Sequence, residues 1–200
     1  SKIVILDSNK IFPLMEAMIE AWDNQFGDLL EWIPADFGGA VVAVDAPGRT
    51  VITDDDRHDA AVANVIPPQR ASWLARAAGL AGDGGWCPVN PDSFESTRVA
   101  GIHVLGDAID PGDMPKSASS ARSQGLACAA AVGSALTGAA HPSPDYSSVC
   151  YFLIGEGRGL MIGGRYRAEE GRITGYEGYS SEAGEDVDTR SATAGAADRW

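Results

Sequence analysis

One acid and one lysine stand out in this sequence because of the residues beside them. Asp107 follows a short apolar run, Ile102–Leu105, across the single glycine Gly106. Lys116 and Ser117 precede a segment rich in small residues that predicts a helix. A carboxylate accepts hydrogen bonds from hydroxyl groups, and the free N–H groups and dipole at a helix N-terminus favour negative charge. This pattern therefore suits a polyhydroxylated, anionic or electron-rich ligand.

The cysteines are a second source of chemistry. Cys87, Cys128 and Cys150 are an odd number without the spacing of a metal site, so at least one is free or paired outside the chain. Cys150 lies between β-forming residues, where an isolated cysteine is more often packing than chemistry. Cys128 is expected to be an inert buried residue of the predicted helix. The three histidines have no carboxylate or cysteine at ligand spacing, so we predict no metal site.

Composition limits the class of protein. Two hundred residues with 44% hydrophobic content can bury a substantial core. The 28 acidic and 15 basic residues give a net charge of −13, which disfavours nucleic acid and anionic membranes. A negative surface suits a basic protein partner, and it is also what keeps many domains soluble. No apolar run approaches the roughly 20 residues that span a bilayer, so we predict no membrane span.

The elements that position these side chains are predicted from apolar spacing and turn residues. Residues 11–26, 71–80 and 117–132 predict helices. Strands are predicted at 1–7, 31–34, 40–45, 50–53, 60–66, 102–105, 146–154, 160–162, 163–166 and 172–179, with 40–45 and 50–53 forming a hairpin. Residues beyond 180 predict a helical or partly disordered tail.

The opening strand has the pattern of the second strand in a dinucleotide fold, in which an acid holds the ribose. A glycine-rich turn lies about 20 residues earlier in that fold, and here nothing precedes Ser1. We therefore expect the chain to be a fragment. Asp7 has two interpretations of equal weight: a ribose-binding acid, or a polar strand end with Asn9 in a turn.

Five signatures, in order, resemble those of the flavoprotein subunit of flavocytochrome c sulfide dehydrogenase, in the pyridine nucleotide-disulfide oxidoreductase superfamily. They are residues 64–69 (NVIPPQ), 85–91 (GWCPVNP), 101–108 (GIHVLGDA), 114–117 (MPKS) and 150–151 (CY). The resemblance covers nearly the whole chain. It implies an α/β fold: a partial two-dinucleotide-binding-domain flavoprotein with incomplete Rossmann-like units, followed by a small α+β interface domain.

The resemblance also implies the domains and the cofactor. Residues 1–66 would be the remainder of a nicotinamide-type dinucleotide domain, 67–140 the carboxy-terminal part of the FAD-binding domain, and 141–200 the interface domain. The FAD-binding residues it implies are Gly106, Asp107, Ala108, Pro115, Lys116 and Ser117. Asp107 would bind the ribityl hydroxyls, while Lys116 and the helix start would support the pyrimidine edge of the reduced flavin.

Cys150 matches the second cysteine of a redox-active pair above the flavin in this family, the partner coming from the earlier half of the chain. The implied activity is oxidation of sulfide through this cysteine and FAD, with electrons passed singly to a c-type cytochrome in the periplasm. We expect the fragment itself to be inactive and to hold little or no FAD. Apolar faces exposed in a fragment would favour self-association.

Three alternatives remain open. A sulfide:quinone oxidoreductase shares the flavin and cysteine chemistry but should carry an apolar, basic C-terminal membrane patch, whereas residues 180–200 are acidic. An NAD(P)H-dependent reductase shares the fold, and the residues before Ser1 would decide that case. A non-catalytic binding module on the same scaffold would be colourless at full length.

Overall fold

The computed structural model describes residues 1–141 and 143–181 and has a mixed α/β fold with parallel and antiparallel sheets. Its backbone contacts divide the chain into two compact units. The first includes Ser1–Pro67 and Leu153–Leu160, and the second comprises Pro68–Phe152 and Met161–Ser181. The predicted domain boundaries at 66/67 and 140/141 stay predictions. From residue 182 onward, the predicted tail lies outside the described residues.

The first unit contains a parallel strand pair and a small antiparallel sheet. Its elements are β1 (Ile3–Leu6), α1 (Met15–Phe26), β2 (Leu30–Ile33), β3 (Val41–Asp45), β4 (Thr50–Thr53) and β5 (Arg57–Asp59). β1 pairs in parallel with β2, and β3, β4 and β5 pair antiparallel in that order. The structure confirms the predicted elements up to β4. β5 was not predicted, because a strand of an arginine, a histidine and an aspartate shows no apolar period.

An aromatic cluster joins α1 to the parallel pair. The ring of Phe12 lies 5.6 Å from that of Trp22 on α1 and 5.1 Å from that of Trp32 on β2, the latter edge-on. Such contacts stabilise beyond the burial of the rings alone. The helix begins at Met15, later than predicted, because Leu14 adopts a left-handed conformation with φ 59°.

The predicted strand at 60–66 is wrong. Residues 61–66 have irregular backbone, and the side chains of Val62 and Ile66 are 87% and 77% exposed. An apolar run becomes a strand only where a neighbouring strand offers hydrogen-bond partners. The N–H of Ala60 still donates to the carbonyl of Arg49 at 2.9 Å, and the chain leaves the sheet after that bond.

The second unit is built from two helices and most of a three-stranded sheet. Its elements are α2 (Trp73–Ala77), α3 (Ala118–Thr137), β6 (Asp145–Gly155), β7 (Arg158–Glu169) and β8 (Arg172–Ser180). The sheet order is β6, β7, β8, so β6 and β8 are its edges, and β7 pairs antiparallel with β8. The predicted helices and strands after residue 116 are confirmed, although the last strands are longer than expected.

The core of the second unit links its irregular middle segment to α3 and the sheet. The side chains that form it are Phe94, Ile109, Met114, Cys128, Tyr146 and Ile173. The rings of Phe94 and Tyr146 meet edge-on at 5.7 Å, and the Tyr146 hydroxyl donates to the carbonyl of Pro91. Burying a large apolar side chain is worth about 1.5–3 kcal/mol, so these contacts hold residues 88–114 in place although the segment contains no α-helix or named strand. Cys128 is buried, as predicted.

The predicted strand at Ile102–Leu105 is also wrong. In the described part of the chain this run forms only an isolated bridge between His103 and Glu95, and Ile102 is 44% exposed. Its backbone pairs with residues 94–96, which are themselves irregular. Asp107 therefore does not end a buried strand. It lies in a 3-10 turn, Gly106–Ala108.

Two surface properties bear on partners. Within residues 1–141 and 143–181, no helix has the length and apolar character needed to cross a membrane. Large apolar side chains are exposed in both units, among them Phe37 in the first and Leu136 in the second. Self-association stays a prediction.

Candidate functional site

The turn that carries Asp107 is fixed against the long helix α3. Gly106 has φ 70°, which favours glycine, and a Cβ there would lie 3.4 Å from the Cβ of Ala121. The N–H of Gly106 donates to the Oε1 of Gln124 at 2.7 Å. Gln124 is 1% exposed, so this is a buried hydrogen bond that leaves the turn little freedom.

Lys116 holds the same turn from the other side. Its ammonium donates to the carbonyl oxygens of Asp107 at 2.8 Å and Ile109 at 2.6 Å, and it lies 3.6 Å from the centre of the Trp86 ring. Burial of the ammonium lowers the pKa of Lys116, and the nearby charges of Asp107 and Asp110 oppose this effect. The side chain as a whole remains exposed, so the burial is partial. Lys116 is thus a tethered cation.

The neighbouring Cys87 is part of this backbone arrangement. Its N–H donates to the carbonyl of Ala108 at 2.9 Å, and its own carbonyl accepts from the N–H of Asp110 at 3.1 Å. The thiol is fully buried, and burial raises its pKa, while the charge of Lys116 acts in the opposite direction. The backbone of Cys87 therefore supports the turn through two hydrogen bonds, and its thiol is a neutral group packed in the interior.

α3 begins immediately after Lys116. Ser117 is its N-cap, and the Ser117 hydroxyl accepts from the N–H of Ser120 at 3.2 Å. The bond from the Ala121 N–H to the Ser117 carbonyl, 2.9 Å, closes the first turn. The amides of Ala118 and Ser119 come before that bond and have no intrahelical acceptor. A helix of 20 residues thus presents its positive end close to the Asp107 turn.

Three hydroxyl groups meet at this helix start. The Oγ atoms of Ser117 and Ser120 are 3.0 Å apart, and that of Ser148 on β6 lies 3.3 Å from the first and 3.0 Å from the second. Ser120 and Ser148 are buried. We call Ser117, Ser120 and Ser148 the hydroxyl cluster. It joins the first turn of α3 to β6.

Two further serines of α3 contact the backbone of β6. The N–H of Val149 donates to the Ser119 hydroxyl at 3.0 Å, and the N–H of Ser147 donates to the Ser123 hydroxyl at 3.1 Å. A step of two residues along β6, from Ser147 to Val149, therefore corresponds to a step of four residues back along α3, from Ser123 to Ser119. The strand and the helix run antiparallel along this contact. Cys150 is the next residue of β6 after Val149, whose N–H is bonded to the first turn of α3.

Cys150 is a free, half-buried thiol. Burial raises the pKa of Tyr166, and the charge of Cys150 adds to the effect. Cys150 thus follows the residues of β6 that bond to α3, and its charge acts on a tyrosine of β7. Its catalytic role stays a prediction.

The Asp107 carboxylate is available to a ligand. It is exposed, and within the part of the chain that the structure describes it makes no hydrogen bond or ion pair, because Lys116 is bound to its backbone instead. An unused carboxylate beside the positive end of a helix matches the donor and acceptor set that a ribityl chain and an electron-rich ring require. These residues therefore fit a flavin.

The predicted residues fall into one region of the second unit. The structure brings together Gly106, Asp107, Ala108, Lys116 and Ser117, with Pro115 exposed beside Lys116. Sequence reasoning missed Trp86, Gln124, Ser119, Ser123 and Ser148. The four-residue spacing of Ser119 and Ser123 was the available signal, because it puts both hydroxyls on one face of a helix.

Other features of the described residues contribute nothing to this site. A cavity of about 300 Å³ in the second unit is lined by none of the predicted site residues. Across residues 1–141 and 143–181, no three histidine, cysteine or acidic side chains are grouped as a metal site would need.

A mixed α/β fold with a free acid before a long helix, and a free thiol on the strand bonded to that helix, has features expected of a flavin-binding oxidoreductase. Two family models match the chain. Residues 1–67 match the central part of the sulfide dehydrogenase (flavocytochrome c) flavoprotein chain, and residues 142–200 match the flavin-binding part of flavocytochrome c sulphide dehydrogenase.

The chain therefore belongs to the flavocytochrome c sulfide dehydrogenase flavoprotein family. The intact protein is a flavoprotein oxidoreductase with FAD as its cofactor. The family name, flavocytochrome c, implies a c-type cytochrome as the partner subunit.

Proposed function

We propose that the intact protein oxidises sulfide with Cys150 as the thiol that reacts with the substrate sulfur. The observation that supports this proposal is that Val149, the residue directly before the free Cys150, bonds through its N–H to Ser119 in the first turn of α3. A reactive thiolate needs partial exposure and a local environment that tolerates negative charge. Cys150 is half-buried, and a position near the first turn of α3 would also favour its negative charge.

The sulfur chemistry balances as a two-electron oxidation. The thiolate of Cys150 and a hydrosulfide ion form a sulfur–sulfur bond, giving a persulfide anion and releasing one proton and two electrons. FAD, when bound, accepts two electrons and returns them one at a time. The thiol side chain keeps the substrate sulfur attached to the protein during this step, so the electrons are released within the site.

The residues around Asp107 are proposed to hold the flavin. The free carboxylate would accept hydrogen bonds from ribityl hydroxyls, and the first amides of α3 would support negative charge on the ring. Gly106 and Ala108 shape the turn, and Pro115 leads the chain into the helix. Lys116, tethered to the carbonyls of Asp107 and Ile109, would add its charge at a fixed position rather than swing toward the ligand.

We further propose that the electrons pass singly to a c-type cytochrome and that the enzyme works in the periplasm. The net charge of −13 supports a basic electron-transfer partner. Charge complementarity of this kind raises the rate of encounter more than the final affinity.

The proposal is tested in the full-length flavoprotein by following the loss of flavin absorbance when sulfide is added without oxygen. Cys150→Ser should slow this bleaching by roughly 1000-fold or more, the scale expected when a covalent nucleophile is removed. Cys128→Ser is the matched control, because Cys128 is buried within α3, and its rate should stay within about twofold. Normal bleaching in Cys150→Ser would refute the role of this thiol.

A further inference from the structure

Among the residues that the structure describes, no strand pairs with the outer edge of β6. In the sheet order β6, β7, β8, this strand lies at one end, and the N–H groups on its outer side need acceptors from elsewhere. Two of them find serine hydroxyls on α3: Val149 donates to Ser119 and Ser147 donates to Ser123. The helix side chains therefore take the place of a neighbouring strand.

The two elements match in length along this contact. A helix rises about 1.5 Å per residue, so Ser119 and Ser123 are about 6 Å apart along its axis. A strand rises about 3.4 Å per residue, so alternate N–H groups are about 6.8 Å apart. This near agreement lets both hydrogen bonds form at once, at 3.0 and 3.1 Å.

The residue between these two N–H groups is held as well. Ser148 directs its side chain into the hydroxyl cluster with Ser117 and Ser120. Three consecutive residues of β6, 147 to 149, are thus each bonded to the first half of α3. Cys150 is the next residue, so its backbone has little freedom to shift along or away from the helix.

We infer that Ser119 and Ser123 are positioning residues that fix the backbone next to Cys150 against the first two turns of α3, by accepting the edge N–H groups of β6. This inference rests on the proposed function of Cys150. The hydroxyl groups of both serines bond to backbone N–H groups of β6 and not to the Cys150 thiol. They act through the strand backbone, and alanine at either position would leave an N–H without its acceptor.

The test uses the full-length flavoprotein with Ser119→Ala, Ser119→Thr and, as matched control, Ser134→Ala. Ser134 lies on the same helix but bonds the carbonyl of Ala140 and not β6. Hydrogen exchange of the peptide covering residues 145–152 and the rate of Cys150 alkylation by iodoacetamide are measured by mass spectrometry. Neither measurement requires turnover. Sulfide-dependent kcat and KM are measured separately.

Ser119→Ala should raise both the exchange of that peptide and the alkylation of Cys150 about fivefold, the effect of losing one hydrogen bond. Its kcat should fall about tenfold with KM changed less than threefold, since a misplaced thiol impairs the reaction more than binding. Ser119→Thr keeps the hydroxyl and should restore at least half of the wild-type kcat. Ser134→Ala should match wild type in every measurement.

The failure of this inference is distinguishable from failure of the proposed function. Unchanged exchange and alkylation in Ser119→Ala would overturn the positioning role, whatever Cys150 does. If both rates rise while Cys150→Ser keeps normal flavin bleaching, the serines position the strand but the thiol is not the reacting group. Equal loss of kcat in Ser119→Ala and Ser119→Thr would also overturn the inference, because the hydroxyl would then be irrelevant.

Discussion

Asp7 and Asp107 each follow a short apolar run, and the structure holds these two acids in different ways. Asp7 follows a true strand, β1, and its carboxylate is occupied: one oxygen accepts from the backbone and side-chain amides of Asn9 at 2.8 and 2.9 Å, and the other from the indole of Trp32 at 3.3 Å. Asp107 follows no strand. Its backbone is held by Lys116, and in the described part of the chain its carboxylate makes no such bond.

The comparison shows that how an acid is held in place and whether its carboxylate oxygens are free to bind a ligand are separate properties. Asp7 is positioned by the sheet and its acceptor capacity is used by its own neighbours, which favours the polar strand end with Asn9 in a turn over a ribose-binding acid. Asp107 is positioned through distant side chains, Gln124 and Lys116, that bind the backbone and leave the carboxylate unused. A binding acid is therefore better fixed by its main chain than by its own oxygens.

The largest effect should come from breaking a distant support of the Asp107 region. A Cβ at Gly112 (φ 60°) would lie 2.3 Å from the carbonyl oxygen of Ile173 on β8. Gly112→Ala should lower the free energy of unfolding by about 3 kcal/mol or more, through combined clash and strain. Gly79 (φ 72°) has no atom within 4 Å of such a Cβ, so Gly79→Ala should cost only about 1 kcal/mol. Equal losses in urea unfolding would show that the contact with β8 is not a support.

A smaller effect is expected when the turn loses its buried acceptor. Gln124→Leu removes the oxygen that binds the Gly106 N–H and should lower the free energy of unfolding by about 2 kcal/mol. Gln69→Leu changes an exposed residue in the same way and should stay within about 0.5 kcal/mol of wild type. Urea unfolding of both variants checks this, and a harmless Gln124→Leu would mean that the turn holds itself.

The smallest effect is expected when each of the two acids is replaced. The full-length apoprotein of each variant is titrated with FAD. Asp107→Ala should weaken FAD binding about tenfold, the value of one hydrogen bond to a charged acceptor, with stability within about 0.5 kcal/mol of wild type. Asp7→Ala should leave FAD affinity unchanged and lower stability by about 1 kcal/mol, because it removes the acceptor for Asn9 and Trp32. The reverse pattern would exchange the roles assigned to the two acids.

The sequence predicted elements well wherever a local signal was sufficient. The spacing of large apolar residues predicted α1, and small residues after a serine cap predicted α3. It failed for the runs at 60–66 and 102–105, because an apolar run shows hydrophobicity but not whether a partner strand lies beside it. The strand β5 was missed for the opposite reason: its residues are polar, but it pairs with β4 through backbone N–H and carbonyl groups, which every residue type except proline provides in full.

The sequence indicated the candidate site residues themselves better than it indicated the distant side chains that hold them in place. Asp107, Lys116 and Ser117 could be singled out because turn and cap residues are local features of the sequence, and their role in the site stays a prediction. Gln124 and Ser148 were not, because their contacts with Gly106 and Ser117 join positions 18 and 31 residues apart. Only the folded chain shows which polar side chains bind a distant backbone.

The hydroxyl cluster gives the site a way to respond to charge without moving. A hydroxyl hydrogen rotates about its C–O bond, and the bonds of Ser117 with Ser120 and with Ser148 can each run in either direction. When a neighbouring sulfur gains or loses charge, these protons can reorient while every heavy atom stays in place. The hydroxyl cluster can thus change the direction of its dipoles in response to charge while the helix and the strand keep their positions.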